Sequence, residues 1–203
     1  HIEISMLKNP IGKQDQYACA LGGTNFLKFN TNGSVDITKS TYIDNIIAKL
    51  VENSFLVWTG ISRSSSLVLK SQRREIESGK IKDPLIKLRD ICLEYADYVN
   101  DFNSEKSIKK GHQLLLELLQ DSWEIKKNLN PKIENKKIRD LINQIKVHVK
   151  NKKFSLKLCG AGGGGFILCA FDKLQLLSPD LLTMRTNIGI NQTGTEVINK
   201  LEN

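Results

Sequence analysis

Residue types that bind metals are scarce in this sequence, which has three histidines and four cysteines among 203 residues. The cysteines form no C-x-x-C pair, and the histidines add no cluster at metal-ligand spacing. We therefore expect no side-chain metal site. Each cysteine stands among apolar neighbours, so we expect free thiols that behave as small hydrophobic side chains in a reducing compartment. The four are Cys19, Cys92, Cys159 and Cys169.

Long apolar stretches are also missing. No run approaches the roughly 20 residues that span a bilayer, and the first residues lack the basic and apolar regions of a signal peptide. These features predict a cytoplasmic protein that does not act at a membrane. The sequence does not begin with methionine, so we expect a piece of a longer protein. Its length suits one large domain or two small ones.

Aromatic residues make up 6% of the chain and do not interleave with the basic residues. The formal net charge is +8, yet lysine and arginine are spread along the chain and mixed with acidic residues. This pattern favours solvated helical surfaces over a nucleic-acid interface. A positive field of this kind also suits an anionic substrate.

A glycine cluster at residues 157–166, with the sequence KLCGAGGGGF, is the clearest positive signal. It lies between two apolar runs, 154–158 and 166–171. Glycine tolerates positive φ and lets the backbone approach a ligand closely. Successive backbone N–H groups in such a turn can bind an anion. We predict a loop that touches or buttresses a phosphate; the alternative is a glycine-rich hairpin that binds nothing.

Two familiar glycine motifs do not fit this cluster. Gly160, Gly162 and Gly165 match the spacing of a dinucleotide-binding loop, but a strand-like segment, FILCAF, follows where that motif requires a helix. The Walker motif requires lysine and a hydroxyl residue after its second glycine, and Phe166 stands there instead. We exclude both interpretations.

Hydrophobic periodicity predicts an α+β fold, because strands come first, then a helical run, then strands again. An antiparallel sheet is expected to pack with the helical run. The predicted strands are 24–29, 34–38, 53–59, the two segments that flank the glycine cluster, 187–192 and 196–198. The predicted helices are 14–21, 64–78, one capped by Asp83, one beginning at Ser104, one over 138–149 and one over 172–182. Residues 114–116 and Trp123 are expected in the core, and His112 on a helix surface.

A carboxylate near a predicted helix start is the first candidate for chemistry. Asp15 follows a glycine turn and stands two residues after Lys13, in the sequence GKQDQY. A carboxylate in this position can accept a hydroxyl proton, and the neighbouring cation can tune its pKa. The alternative is an acidic residue that stabilises the helix dipole.

The second candidate is the sequence TGISRSSS at residues 59–66. A predicted strand ends at Gly60, and Arg63 then stands among hydroxyl residues before a predicted helix. A helix N-terminus, backbone N–H groups, hydroxyls and a bidentate guanidinium can together hold a phosphate. The alternative is a helix cap with an exposed arginine.

Three segments occur in the order GKQDQY, TGISRS and KLCGAGGGGF, with a Gly-Gly pair at 22–23 after the first. In this order they resemble the GHMP kinases, a family that includes galactokinase, homoserine kinase, mevalonate kinase and phosphomevalonate kinase. Within it, they look most like the D-glycero-D-manno-heptose 7-phosphate kinases. The resemblance implies the C-terminal part of a two-lobed α+β kinase. Residues 1–52 would be a remnant of the N-terminal catalytic lobe, and residues 53–203 the C-terminal domain.

The resemblance also implies roles for individual residues. Asp15 matches the catalytic base toward the sugar hydroxyl, and we expect Arg63 to hold the 7-phosphate. The residues implied on the substrate side are Lys13, Gln14, Thr59, Gly60, Arg63 and Ser64. The residues implied in the loop against the nucleotide phosphates and the substrate are Gly160, Ala161, Gly162, Gly163, Gly164 and Gly165.

The implied reaction moves the γ-phosphoryl group of ATP to the anomeric hydroxyl of a heptose 7-phosphate, with Mg²⁺ bridging the phosphates. ATP, Mg²⁺ and a sugar phosphate are therefore the expected ligands, and neither nucleic acid nor a membrane is an expected partner. The alternatives are a GHMP kinase for another sugar or small alcohol, and a non-catalytic sugar-phosphate-binding module that needs a partner chain.

The sequence departs from the family in one respect. The family's nucleotide-binding motif, Pro-x-x-x-Gly-Leu-Gly-Ser-Ser, does not occur in it. We therefore expect this chain by itself to bind ATP poorly and to turn over little. The missing N-terminal lobe, or a second copy of the chain, is the expected protein partner.

Overall fold

The computed structural model describes residues 4, 6 and 7 and the ranges 11–62, 66–100, 105–149, 153–174 and 184–195. The described helices are α1 (Gln14–Leu21), α2 (Thr41–Glu52), α3 (Ser66–Glu77), α4 (Lys82–Asn100), α5 (Glu105–Lys127) and α6 (Lys136–His148). The described strands are β1 (Phe26–Phe29), β2 (Val35–Thr38), β3 (Ser54–Trp58), β4 (Phe154–Leu158), β5 (Phe166–Phe171) and β6 (Arg185–Thr186).

The first two strands form an antiparallel hairpin, as their alternation and the Asn32-Gly33 turn predict. Gly33 has a φ of +88°, which glycine adopts at low cost. The Asn32 side chain accepts a hydrogen bond from the Ser34 amide at 3.0 Å and so fixes the turn. The prediction of two paired strands here is confirmed.

The main sheet has four described strands in the order β4-β5-β3-β6, and all of its pairs are antiparallel. Because β4 and β5 are consecutive neighbours, the glycine cluster is the loop of a hairpin. In the register of β3 against β5, Trp58 lies opposite Phe166. The ends of β3 and of the glycine loop therefore meet at one edge of the sheet.

Each face of the sheet carries its own apolar core, because alternate residues of a strand point to opposite faces. On the first face, Phe55 and Phe171 stack with ring centroids 5.7 Å apart, and α6 covers them with Ile138, Ile142 and Ile145. The second face packs against α2, α4 and α5. Each large apolar side chain that is fully buried contributes about 1.5–3 kcal/mol relative to exposure. This arrangement confirms the α+β prediction of an antiparallel sheet packed with a helical run.

One helix and one helix boundary differ from the sequence-based expectations. Helix α2 was not predicted, although Ile46 and Leu50 are buried at helical spacing on the second face of the sheet. The helix predicted to be capped by Asp83 begins at Lys82, so Asp83 lies in the first turn and is not the cap. For the helix predicted from Ser104, the described part begins at Glu105, and Ser104 lies outside the described residues.

Two predictions near the end of the chain disagree with the described residues. Residues 172–174 are not helical, because the Asp172 amide donates to the Lys153 carbonyl and the Leu174 amide donates to the Asn53 side chain. Residues 187–192 form no strand; β6 is limited to 185–186. The Asn191 side chain instead accepts from the amides that follow it and turns the chain. The remainder of the predicted helix, residues 175–182, and the predicted strand at 196–198 lie outside the described residues.

The predictions for several side chains have mixed outcomes. Leu115, Leu116 and Trp123 are buried, as expected. His112 was placed on a helix surface and is completely buried, because α5 packs against α2, α4 and β4 and so has few outward positions. All four cysteines are free thiols, as expected, but Cys19 and Cys92 are exposed, so these two do not behave as buried hydrophobic side chains.

The buried His112 predicts a pH dependence of stability. Burial lowers its pKa, the nearby Lys49 lowers it further, and Asp172, whose carboxylate lies 3.8 Å away, offsets part of this effect. The unfolded chain therefore binds a proton at a higher pH than the folded chain does. We expect the free energy of unfolding to be highest above about pH 6.5 and to fall as the pH drops, by at most about 1.4 kcal/mol per pH unit.

Denaturant unfolding between pH 8 and pH 5 measures this dependence. His112→Met is expected to flatten the curve in that window, whereas Gln144→Met, at an exposed position on α6, is expected to leave it unchanged. An identical pH dependence in His112→Met and in the unmodified chain would show that His112 is not its source.

The proposed boundary at residue 52 stays a prediction. Helix α2, which precedes that boundary, packs against α5, which follows it. Within the described part of the chain, no helix combines the length and the hydropathy that crossing a bilayer requires.

Candidate functional site

The glycine cluster forms the tight loop between β4 and β5. The hairpin closes where the Cys159 amide donates to the Phe166 carbonyl at 2.8 Å. Gly160, Gly162 and Gly165 have φ values of +66°, +104° and +89°, which side chains other than glycine rarely adopt. The middle of the loop, residues 162–164, is buried, so the loop lies within the protein and is not a free surface turn.

The loop is joined to the segment that follows β3. Both the amide and the hydroxyl of Thr59 donate to the Gly165 carbonyl, at 2.9 and 2.8 Å. The Gly165 amide donates to the Ile61 carbonyl at 3.0 Å. A Cβ on Gly164 would lie 2.7 Å from that same carbonyl oxygen, so the two backbones touch. The structure therefore brings two of the three predicted motifs into direct contact.

The other side of the loop rests on the connection between α5 and α6. The Gly163 amide donates to the Ile133 carbonyl at 2.6 Å, and the Asn135 side chain donates to the Gly163 carbonyl at 3.1 Å. Asn135 also caps α6, because its Oδ1 accepts from the Ile138 amide at 3.0 Å. A Cβ on Gly162 would lie 2.8 Å from the Ile133 side chain. The loop is thus held between two segments that are far apart in sequence.

These contacts bear on how the loop can meet a phosphate. The amides of Gly163 and Gly165 already donate to protein carbonyls, so in this conformation neither is available to an anion. The geometry therefore favours a rigid buttress for the segment at Thr59 over an open cradle of N–H groups. The role of Gly160 to Gly165 in phosphate contact stays a prediction.

Thr59 is similarly engaged. It is 2% exposed, and its hydroxyl oxygen also accepts from the Ile61 amide at 3.3 Å. Gly60 is exposed, and its carbonyl accepts from the Lys137 ammonium at 3.2 Å. The Thr59 side chain is therefore placed to fix this turn, while the Gly60 backbone faces outward. Arg63 and Ser64, which the sequence assigns to the same site, lie outside the described residues.

Asp15 lies in the first turn of α1 and is exposed, as its position in the sequence predicts. Lys13 and Gln14 precede it at the helix start and are also exposed. Within the described ranges, Asp15 makes no hydrogen bond or ion pair with the Thr59 segment or with the glycine loop. The structure thus joins the second and third motifs to each other, and contacts between described residues do not tie the first motif to them.

Several residues at the loop were not singled out in the sequence. Ile133, Asn135 and Lys137 belong to a stretch interpreted as a solvated basic surface, yet Ile133 is fully buried and all three contact the two joined motifs. Asn135 carried a usable signal, because asparagine before a helical pattern is a strong cap. No local pattern marks Ile133 as a partner of a loop thirty residues away.

Asn135→Ala should therefore lower stability more than an ordinary surface substitution. It removes the cap of α6 and one of the bonds that hold the glycine loop, and we expect a loss of about 1–2 kcal/mol. Thermal or denaturant unfolding measures the effect. Asn143→Ala, at an exposed position on the same helix, is the matched control. Equal losses in the two variants would contradict the double role of Asn135.

Mg²⁺ and ATP, which the resemblance implies, can be tested against the side chains at hand. Among the described residues, no three His, Cys, Asp or Glu side chains come together in a way that could hold a metal ion. Mg²⁺ bound with a nucleotide needs only one or two carboxylates from the protein, because the nucleotide phosphates and water supply its remaining ligands. Nucleotide-bound Mg²⁺ therefore does not require such a cluster, and ATP and Mg²⁺ stay expectations for this chain.

Comparison with known proteins gives the following similarities. No protein-family model matches the chain. It is 27% identical over 163 residues to D-glycero-alpha-D-manno-heptose 7-phosphate kinase of Campylobacter jejuni, which covers 79% of this chain and 44% of that protein.

Two solved structures share the fold. One is a D-glycero-D-manno-heptose 1-phosphate kinase from Bacteroides thetaiotaomicron, with a TM-score of 0.52, 18% identity, and coverage of 98% of this chain and 53% of that one. The other is L. major mevalonate kinase in complex with R-mevalonate, with a TM-score of 0.50, 15% identity, and coverage of 84% and 45%. The chain spans about half the length of the relatives it matches. The resemblance to GHMP kinases and the α+β fold are thereby confirmed.

Proposed function

We propose that this chain carries the sugar side of a GHMP-type kinase that transfers the γ-phosphoryl group of ATP to the anomeric hydroxyl of a heptose 7-phosphate. The two hydrogen bonds from Thr59 to the Gly165 carbonyl carry the proposal, because they hold the predicted substrate segment against the glycine loop. The similarity to the heptose 7-phosphate kinase of Campylobacter jejuni supports the substrate class. The four free thiols fit a cytoplasmic setting.

In this proposal, the chain binds the sugar phosphate, and a separate nucleotide-binding lobe binds ATP. The sequence holds no Gly-Leu-Gly-Ser-Ser motif, and two amides of the glycine loop are already bonded. ATP with Mg²⁺ supplies the phosphoryl group when bound. Residues 1–52 are the remnant of the catalytic lobe in this proposal, and the chain by itself turns over little ATP.

Asp15 is the proposed general base. Its carboxylate accepts the proton of the anomeric hydroxyl as that oxygen attacks the phosphoryl group. Its exposure at the start of α1 leaves it open to a substrate hydroxyl. Lys13 and Gln14 precede it at the helix start, are also exposed, and contact the sugar in this proposal. Thr59 acts through the backbone, because its hydroxyl is fully engaged within the protein.

Arg63 is the proposed ligand of the 7-phosphate, and Ser64, the next residue in the sequence, is a proposed hydroxyl contact to the substrate. Substituting Arg63 by alanine is expected to weaken use of phosphorylated sugars by about 10²-fold, since a charge-assisted bidentate contact is lost. Use of the unphosphorylated sugar is expected to stay within about twofold. Steady-state kinetics of the natural gene product with heptose 7-phosphate and with heptose tests this pair of expectations.

The outcome also separates the alternatives. An equal loss of activity with both sugars would show that Arg63 does not recognise the 7-phosphate. It would favour a GHMP kinase for another sugar or small alcohol. Binding of heptose 7-phosphate without any phosphorylation, in the presence of a nucleotide-binding partner, would favour a non-catalytic sugar-phosphate-binding module.

A further inference from the structure

Two lysines, Lys126 on α5 and Lys157 on β4, lie near the start of the glycine loop. Lys157 lies on β4 between the buried Leu156 and Leu158, so its side chain points to the face that α5 covers. Its ammonium donates to the Ser122 hydroxyl of α5 at 3.1 Å. Lys126 lies one helical turn after Ser122, and its ammonium donates to the Gly160 carbonyl at 2.5 Å.

Both lysines are half-buried, and neither has an acidic partner in the part of the chain that the structure describes. Lys127, the next residue, pairs with Glu124, but no carboxylate of the described residues lies within 4 Å of Lys126 or Lys157. Burial lowers the pKa of both lysines, and the charge of Lys157 lowers the pKa of Lys126 further, while the neighbouring Cys159 offsets part of the lowering in each. Two half-buried ammonium groups thus lie near enough for their charges to interact, and each donates a hydrogen bond to an uncharged oxygen. Such an arrangement is costly unless an anion completes it.

We propose that Lys126 and Lys157 form a phosphoryl-binding site at the edge of the glycine loop. Each ammonium has three N–H donors and spends one on the protein, so donors remain for phosphate oxygens. The Gly160 carbonyl, which Lys126 holds, places the site at the first glycine of the loop. The site is additional to Arg63, and the assignment of its phosphate to a kinase substrate rests on the proposed function.

A purely structural role explains the position of Lys126 but not that of Lys157. Lys126 lies in the last turn of α5, where a cation interacts favourably with the helix dipole. Lys157 lies on a strand, and that explanation does not reach it. Its ammonium donates to the Ser122 hydroxyl of α5, one helical turn before Lys126, and apolar residues flank it on its own strand. The pair, and not either lysine alone, therefore points to an anion.

Titration of the chain with inorganic pyrophosphate by calorimetry tests the proposal. We expect saturable binding that Lys126→Gln and Lys157→Gln each weaken about tenfold, through the loss of one charge-assisted contact. Lys109→Gln, at an exposed position on α5, is the matched control and should bind as the unmodified chain does. In parallel, pyrophosphate should shift the backbone amide resonances of Gly160 and Ala161 in the unmodified chain, a readout that no substitution can disturb.

Two further titrations distinguish a sugar phosphate from a nucleotide as the ligand of this site. Competition of pyrophosphate by ribose 5-phosphate and not by ATP would assign the site to a sugar phosphate, and the reverse would assign it to a nucleotide. The proposal would be overturned if pyrophosphate showed no saturable binding, or if it left the amide resonances of residues 160–161 unchanged. Unchanged pyrophosphate affinity in both lysine variants would also overturn it. Asp15→Asn should not affect this binding, so a failure here is separate from a failure of the kinase assignment.

Discussion

Replacement of Gly162 by alanine is expected to lower the free energy of unfolding by about 2–4 kcal/mol. Two effects add. The φ of +104° is strained for a residue with a side chain, and the new Cβ would lie 2.8 Å from the Ile133 side chain and 3.0 Å from its Cα. Because Ile133 is fully buried in the first core, it cannot move aside cheaply. Denaturant unfolding followed by circular dichroism measures the loss.

Two other glycines serve as controls. Gly160 also has positive φ but has open space around it, so Gly160→Ala isolates the backbone strain at about 1–2 kcal/mol. Gly189 has neither positive φ nor a neighbour within 4 Å, so Gly189→Ala should change stability by less than about 0.5 kcal/mol. If Gly162→Ala cost no more than Gly160→Ala, the close packing of the loop on the α5–α6 connection would be disproved.

Asp15→Asn is expected to reduce phosphoryl transfer by the natural gene product about 10²- to 10⁴-fold, the usual contribution of a general base. Asparagine keeps the shape of the side chain but cannot take the proton of the attacking hydroxyl. Stability should hardly change, because Asp15 is exposed. The measurement is kcat with heptose 7-phosphate and ATP, together with the unfolding midpoint.

Asp140→Asn, at an exposed position on α6, provides the matched comparison and should leave kcat unchanged. A normal kcat for Asp15→Asn would remove Asp15 from the chemistry and leave it as a residue of the first helical turn that favours the helix dipole.

The sequence predicts local structure well where local rules decide it. Helix α1 ends at Gly22, the first hairpin turns at Asn32-Gly33, and α6 has its expected apolar stripe. The glycine cluster is in the predicted place, between two antiparallel strands. In each case, the residues that set the structure are neighbours in the chain, so periodicity and turn chemistry are sufficient.

The errors arise where distant partners decide the structure. The amides of Asp172 and Leu174 bond to Lys153 and Asn53, which no local pattern reveals, so the helix expected there does not begin. His112 has a polar side chain at a helical position, and only the packing of α5 on three elements shows that it is buried.

In the candidate site, too, local patterns could be predicted and contacts between distant residues could not. Its motifs could be recognised from residues alone, and the chain order indicated that they act together. The hydrogen bond from Thr59 to Gly165 depends on the register of β3 against β5. The hydrogen bond from Asn135 to Gly163 depends on where the α5–α6 connection lies. Neither register nor placement is encoded within the motifs, so the supporting residues were found only in three dimensions.

The central claim is most directly tested by ³¹P NMR of the natural gene product with ATP, Mg²⁺ and D-glycero-D-manno-heptose 7-phosphate. The account predicts that ADP forms together with one new sugar phosphate resonance at the anomeric position, and that the 7-phosphate resonance persists. Asp15→Asn should abolish the new resonance. Absence of any Asp15-dependent phosphorylation of this sugar would contradict the account.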